Sequence, residues 1–186
     1  MKLKLILVTY LSLISLINTY SNSFKNLSKI KMKSSFKIKD CIDSKQDYPF
    51  SIRYLNSSQK EVAKNLFYLI NKYRIKKNLN ILLPSQTLAK IAQVHSIDLN
   101  RRSSLTHENS KGWDTFKRLE IFNYDYIAAG ENLSEGYLSA EKILDAWKNS
   151  PSHLKVLGEA QFSHLGIGIA GNNMKVTSLF AKPLCI

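Results

Sequence analysis

The chain has 186 residues, of which 44% are hydrophobic and 22% charged, and it carries a net charge of +13. That length suits one domain with a real core once an N-terminal targeting segment is set aside, and two cysteines are too few for a disulfide-built scaffold. The basic excess does not mark a nucleic-acid binder, because no recognisable binding motif accompanies it and the N-terminus points to secretion.

Residues 1–21 read as a secretory signal peptide. Met1-Lys2-Leu3-Lys4 is a basic start, and residues 5–17 form an apolar run of 13 residues, where about 20 are needed to span a bilayer. A polar stretch follows, with Thr19 and Ser21 as small residues for cleavage. An uncleaved anchor is the alternative for the same run; no cysteine follows closely enough for lipid attachment. Residues 22–56 read as a basic arm, extended or disordered, with seven lysines against two aspartates between 22 and 46 and no clear periodicity. Contact with a membrane or an anionic polysaccharide, if any, is expected through this arm; a solvated spacer is the plainer reading. Cys41 and Cys185 could pair in an oxidising compartment and tie the two ends together, which their spacing does not decide.

From residue 57 to 186 the pattern is that of a folded domain. Ser58 and Glu61 form a capping-box signature, and Val62, Leu66, Leu69, Ile70 and Tyr73 recur at helical spacing, predicting a helix over 59–76. Pro84-Ser85 opens a second helix, to about 102, with Leu88, Ile91, Ala92, His95 and Leu99 on one face; His95 therefore reads first as a core histidine. A polar loop over 103–112 contains His107, and a shorter helix is expected over 115–122. "AAGENLSEG", residues 128–136, reads as extended backbone passing close to another element. Ser139 caps a helix with Ile143, Leu144 and Trp147 inward, and Trp113, Phe116 and Trp147 read as core aromatics. Apolar runs at 165–170 and 175–181 around Gly171-Asn172-Asn173 signal a hairpin. The expected architecture is mixed α/β, with the hairpin in the middle of a small antiparallel sheet covered by helices.

The chemistry-bearing candidates are few. His107 and His153 sit beside polar or turn residues, and Glu131 lies between them in sequence. Two imidazoles and a carboxylate can hold Zn²⁺ or another divalent cation, or perform acid–base work, although the wide spacing leaves a joint site open. Ser150 suits an N-cap and Pro151 the first helical position, which puts His153 at N3, where the partial positive charge of a helix N-terminus disfavours imidazolium. His164 is expected to close a loop onto a strand. Glu108 and Glu135 are the nearest other carboxylates and read as solvated loop residues. No His-Glu-x-x-His helix and no Gly-x-Ser-x-Gly turn is present. Asn26, Asn56 and Asn132 fit the N-glycosylation pattern, which matters only in a eukaryotic secretory pathway.

The order of "LAKIAQVHSIDL", "LTHENSKG", "AAGENLSEG", "AWKNSPSHLKVL" and "FSHLGIGIA" resembles the CAP superfamily of cysteine-rich secretory, antigen 5 and pathogenesis-related proteins, also called SCP-like domains. The likeness covers residues 59–182 and is greatest to the bacterial-type branch with few cysteines. It implies an α/β/α sandwich whose cleft holds His107, Glu131 and His153, with His95, Asn132 and Ser150 in supporting positions. Fuller members carry a further glutamate where this chain has Ser150, which leaves the set one carboxylate short. The resemblance further implies a secreted monomer that binds a lipid or sterol, a cell-surface component or a host protein, with a divalent cation such as Zn²⁺ as the candidate cofactor. Two alternatives stand beside it. One is a zinc-dependent hydrolase in which the same three residues hold the metal that activates a water; the other is a surface adhesion module that uses the basic arm.

Overall fold

The structure, a computed structural model, describes residues 55–184. The signal-peptide reading, all but the last two residues of the arm, Cys41 and Cys185 lie outside the described residues. Five helices and four strands make up the described chain: α1 (Ser57–Lys76), β1 (Leu83–Pro84), α2 (Gln86–Arg102), α3 (Thr115–Ile121), β2 (Tyr126–Ser134), α4 (Ala140–Lys148), α5 (Pro151–Gly158), β3 (His164–Ala170) and β4 (Lys175–Pro183). None of these helices is long and apolar enough to cross a membrane.

Local chemistry starts most of the helices. Ser85 accepts from Leu88 N–H at 3.2 Å to start α2, and Asp114 accepts from Lys117 N–H at 2.7 Å to start α3. The capping box of α1 is Asn56 with Gln59, not Ser58 with Glu61: Asn56 Oδ1 accepts from Gln59 N–H at 2.8 Å, and Gln59 Oε1 accepts from Asn56 N–H at 3.2 Å. Gln59 also donates through Nε2 to Gly171 O at 3.2 Å. That bond ties the helix start to the β3–β4 turn, a tertiary preference that a local pattern does not carry.

The sheet order is β1-β3-β4-β2, so the β3–β4 hairpin occupies the middle, as its sequence predicts. β2 and β3 both run antiparallel to β4, whereas the two-residue β1, too short to carry a pattern, lies parallel to β3. Side chains of β4 alternate between two cores. Val176 and Phe180 face the layer of α1, α4 and α5, with Leu66, Ile70, Ile143, Trp147 and Leu157. Leu179 and Ala181 face α2 and α3, with Leu88, Ile91 and Leu119. The result is the expected α/β/α sandwich.

Glycine sets how closely α2 approaches the sheet. A Cβ on Gly166 would lie 2.2 Å from Ala89 N, and one on Gly168 would lie 2.3 Å from Gln93 N. "GIG" therefore places Ile167 in one core and leaves bare backbone under α2 on the other face. Of the expected core aromatics, Trp147 is buried, but Phe116 is 50% exposed and stacks on Tyr126 with centroids 6.1 Å apart. Trp113 is half-buried under Lys111 Nζ, 4.6 Å from the ring centroid. Both aromatics sit around the seven-residue α3, which is too short to bury more than one face.

Candidate functional site

Glu131 is the centre from which the site can be built. It lies on β2 opposite Leu179 of β4, and its carboxylate is almost wholly out of solvent, at 2% side-chain exposure. An isolated carboxylate there would be strongly disfavoured, so every oxygen is engaged. Oε1 accepts from His107 Nδ1 at 2.8 Å and from Thr115 Oγ1 at 3.0 Å. Oε2 accepts from Arg118 Nη2 of α3 in a short, buried ion pair. Burial pushes the Glu131 carboxyl up, but His107 and Arg118 outweigh it and hold it below the usual range.

Arg118 does more than neutralise. Its Nη1 donates to His107 O at 2.6 Å and to Trp113 O at 3.1 Å, pinning both ends of the loop to α3. The loop so held presents His107 with 58% of its side chain exposed. Because Nδ1–H donates to the carboxylate, Nε2 is the nitrogen that remains for a ligand. The Glu131 hydrogen bond raises the His107 pKa, opposed by burial and by the Arg118 charge.

His153 approaches from the other face of the sheet. Ser150 and Pro151 stand at the N-cap and first position of α5, as the sequence predicts, but the Ser150 hydroxyl makes no capping bond and lies 3.2 Å from Ser152 Oγ instead. The His153 ring packs against Trp147 with centroids 6.3 Å apart, and its carbonyl accepts from Asn132 Nδ2 at 3.1 Å. Its pKa is lowered, first by burial and then by the charge of His107, so the two imidazoles are near enough to sense each other. The shift has the direction expected from the helix terminus, but its first cause is burial.

His95 is fully buried in α2, with Nε2–H donating to Thr106 O at 3.1 Å, and burial followed by the Arg118 charge lowers its pKa to about 4. It is a core histidine that supports the loop carrying His107 from behind. Asn132 is fully buried, so its side chain is closed to a glycan. His164 is buried at the start of β3, bonded through Nδ1 to Ser163 Oγ at 2.9 Å. Glu135 is taken by Lys175 at 2.7 Å and Asn173 at 2.8 Å, and Glu108 is an exposed loop residue. Sequence reasoning missed Arg118 and Thr115. Their one signal was an i, i+3 polar pair on the inward side of a very short helix.

The donor set decides what a metal could use. Among the described residues, no group of three or more His, Cys, Asp or Glu is arranged to hold a metal ion. Both Glu131 oxygens are committed, so Glu131 orients His107 and is not free to ligate beside it. A three-residue His–Glu–His centre does not fit this arrangement; two imidazoles remain.

Comparison with known proteins gives a consistent picture. The CAP model, described as the cysteine-rich secretory protein family, matches residues 67–179. The uncharacterised protein YkwD of Bacillus subtilis is 31% identical over 112 residues, spanning 60% of this chain and 44% of that protein. An extracellular protein containing an SCP domain from Bacillus anthracis superposes with a TM-score of 0.63 at 26% identity, covering 69% of this chain and 44% of that one. An outer surface protein from Borrelia burgdorferi gives a TM-score of 0.62 at 29% identity, covering 67% of this chain and 95% of that one. The chain thus spans less than half of the two Bacillus proteins.

Proposed function

The chain belongs to the CAP family of cysteine-rich secretory proteins, and from that premise we propose that it is a secreted or surface-exposed protein that acts by binding. The site is the pair of imidazoles, His107 and His153, on either side of β2, and the ligand is a component of a cell surface. The observation that carries this reading is the state of Glu131. Its carboxylate is spent on Arg118, Thr115 and His107, so Glu131 is free neither to activate a water as a base nor to complete a metal centre. An extracellular protein and an outer surface protein among the similar structures support the location.

The test is to titrate the isotopically labelled full chain separately with sterol-bearing vesicles, cell-wall fragments and Zn²⁺, following the imidazole signals of His107 and His153. Saturable shifts with a surface component, abolished by His107→Ala and by His153→Ala, are expected. Zinc-dependent turnover of an ester or peptide, lost in both variants, would sink the binding reading in favour of a hydrolase.

A further inference from the structure

Edge strands leave a row of backbone groups without a sheet partner, and where those groups go can be followed residue by residue. In an antiparallel strand alternate residues turn both N–H and C=O to the same side. Two side-chain contacts set the parity here. Ile169 of β3 gives both of its groups to the Gln93 carboxamide, at 2.9 Å and 2.8 Å, so it faces away from β4. Carried through the β3–β4 and β4–β2 registers, that parity turns Ala129, Glu131 and Leu133 of β2 outward. Leu133 agrees independently, because its carbonyl accepts from Trp147 Nε1 at 2.8 Å.

The sides of β3 and β2 that face away from β4 are treated differently. On β3, Leu165 O accepts from Ser85 N–H, Ile169 is served by Gln93, and Ile167 between them is only 2% exposed. On β2, Trp147 serves Leu133, and no backbone or side-chain partner among the described residues reaches the main-chain groups of Ala129 or Glu131. These two are not sealed. Ala129 is half-buried and Ile127 is 53% exposed. Glu131 is 7% exposed as a residue but 2% over its side chain, so what shows is mainly backbone. The neighbouring side chains, Ala128, Ala129 and Gly130, are small. His107 flanks the gap on one face through Glu131, and His153 on the other through Asn132.

We propose that the open edge of β2 at Ala129 and Glu131 is a docking strand for an extended acidic peptide segment of a partner protein, which adds beside β2 between His107 and His153. The proposal rests on the binding reading above and names the ligand class. Two outward N–H and C=O pairs two residues apart match the repeat of an extended polypeptide, which sugars and lipids lack. Residues 55–184 carry 17 Lys and Arg against 11 Asp and Glu, a net charge of +6, which with the exposed His107 imidazole at the flank favours acidic side chains in that peptide.

The test uses the labelled full chain and the capped peptide acetyl-Val-Glu-Val-Glu-Val-amide. In the free chain, the Ala129 and Glu131 amides exchange at least about tenfold faster than those of Gly130 and Asn132, which bond to β4. The peptide shifts and slows these two amides with a dissociation constant of about 1 mM, the scale expected of a few backbone hydrogen bonds. Ala129→Pro removes an outward N–H without breaking a ladder bond, so it folds and loses at least about tenfold in affinity. Free-chain protection of Ala129 and Glu131 equal to their neighbours would overturn the proposal even if the proline variant failed to fold. So would undiminished peptide binding by a folded Ala129→Pro. Imidazole shifts with cell-wall fragments that persist alongside either result would leave the binding reading standing and remove only the docking strand.

Discussion

Arg118 and Glu131 form an ion pair in which each side chain is 2% exposed, and the pair lies directly behind the His107 ring. Buried pairs of this kind owe much of their apparent strength to what remains when one partner is removed. Arg118→Ala would strand a buried carboxylate and free the His107 and Trp113 carbonyls, so a loss of about 3–5 kcal/mol in chemical denaturation is expected. The double change Arg118→Leu with Glu131→Leu should recover a good part of that stability, because no buried charge is left. A single variant as stable as the parent would mean the pair is solvated in solution.

The same carboxylate separates the titrations of the two site histidines. His107 should titrate above the ordinary value of 6.5 and His153 below it, read from their ring signals across pH. Glu131→Gln removes the first cause of the His107 shift and leaves the Arg118 charge opposing protonation, so its midpoint should fall to 6.5 or lower. His107→Ala should raise the His153 midpoint only in part, because burial is the larger cause there. Equal midpoints in the parent chain would show that the His107–Glu131 bond does not persist.

Local signals were the readable ones. Ser85 and Ser139 cap where the pattern places them, the inward faces of α2 and α4 are as spaced, and Ser150-Pro151 begins the helix that presents His153. What could not be read depends on contacts distant in sequence. Glu131 looks like one member of a ligand triad until Arg118, 13 residues earlier, folds beneath it. Phe116 has a core-like composition but sits on a helix with too few turns to bury it. The bracketing glycines mark the GENL segment as extended backbone, but they do not show that part of its outer edge has no partner. That requires knowing which residue Trp147 reaches.

Gly166 and Gly168 give a prediction with a clear steric cause. A methyl group at either position would meet main-chain atoms of α2, which have no rotamer by which to yield. Gly166→Ala and Gly168→Ala should each cost more than about 3 kcal/mol, beyond the usual range for overpacking a core of side chains. Gly158, whose added Cβ would meet nothing within 4 Å, is the control, and Gly158→Ala should leave the thermal midpoint nearly unchanged. If all three behaved alike, α2 would not rest on β3 as closely as described.

Arg74 holds the far end of the helix that carries His153. It is fully buried, and it donates to Asn80 O at 2.9 Å, Leu157 O at 3.0 Å, Glu159 O at 2.9 Å and Phe162 O at 3.3 Å. No carboxylate among the described residues is within bonding distance, so the guanidinium works as a fixed fork of donors, a geometry that lysine does not reproduce. Arg74→Lys should therefore cost about 2–4 kcal/mol, from bonds to a charged group that are lost and carbonyls left unsatisfied. The His153 and Trp147 signals should shift with it, since α5 loses its C-terminal tether. Full stability in the lysine variant would assign these carbonyls to water instead.

His95 makes the domain sensitive to acid in a defined window. Its ordinary pKa is 6.5 and its folded value is about 4, so between those limits the unfolded chain binds a proton that the folded chain refuses. Stability must then fall as pH drops from 6.5 towards 4 and flatten with respect to this group below that. A shift of this size corresponds to about 3 kcal/mol at most. His107 acts in the opposite sense at higher pH: its raised value contributes stability that is complete below 6.5 and fades as pH rises through the folded value. Urea denaturation of the parent and of His95→Gln, which keeps a donor for Thr106 O, separates the two. The variant should lose most of the difference in stability between pH 6.5 and 4.5 while keeping the His107 dependence above pH 6.5. An unchanged acid slope in His95→Gln would move the source of acid sensitivity elsewhere, first to Glu131, whose lowered value acts in the same direction at lower pH.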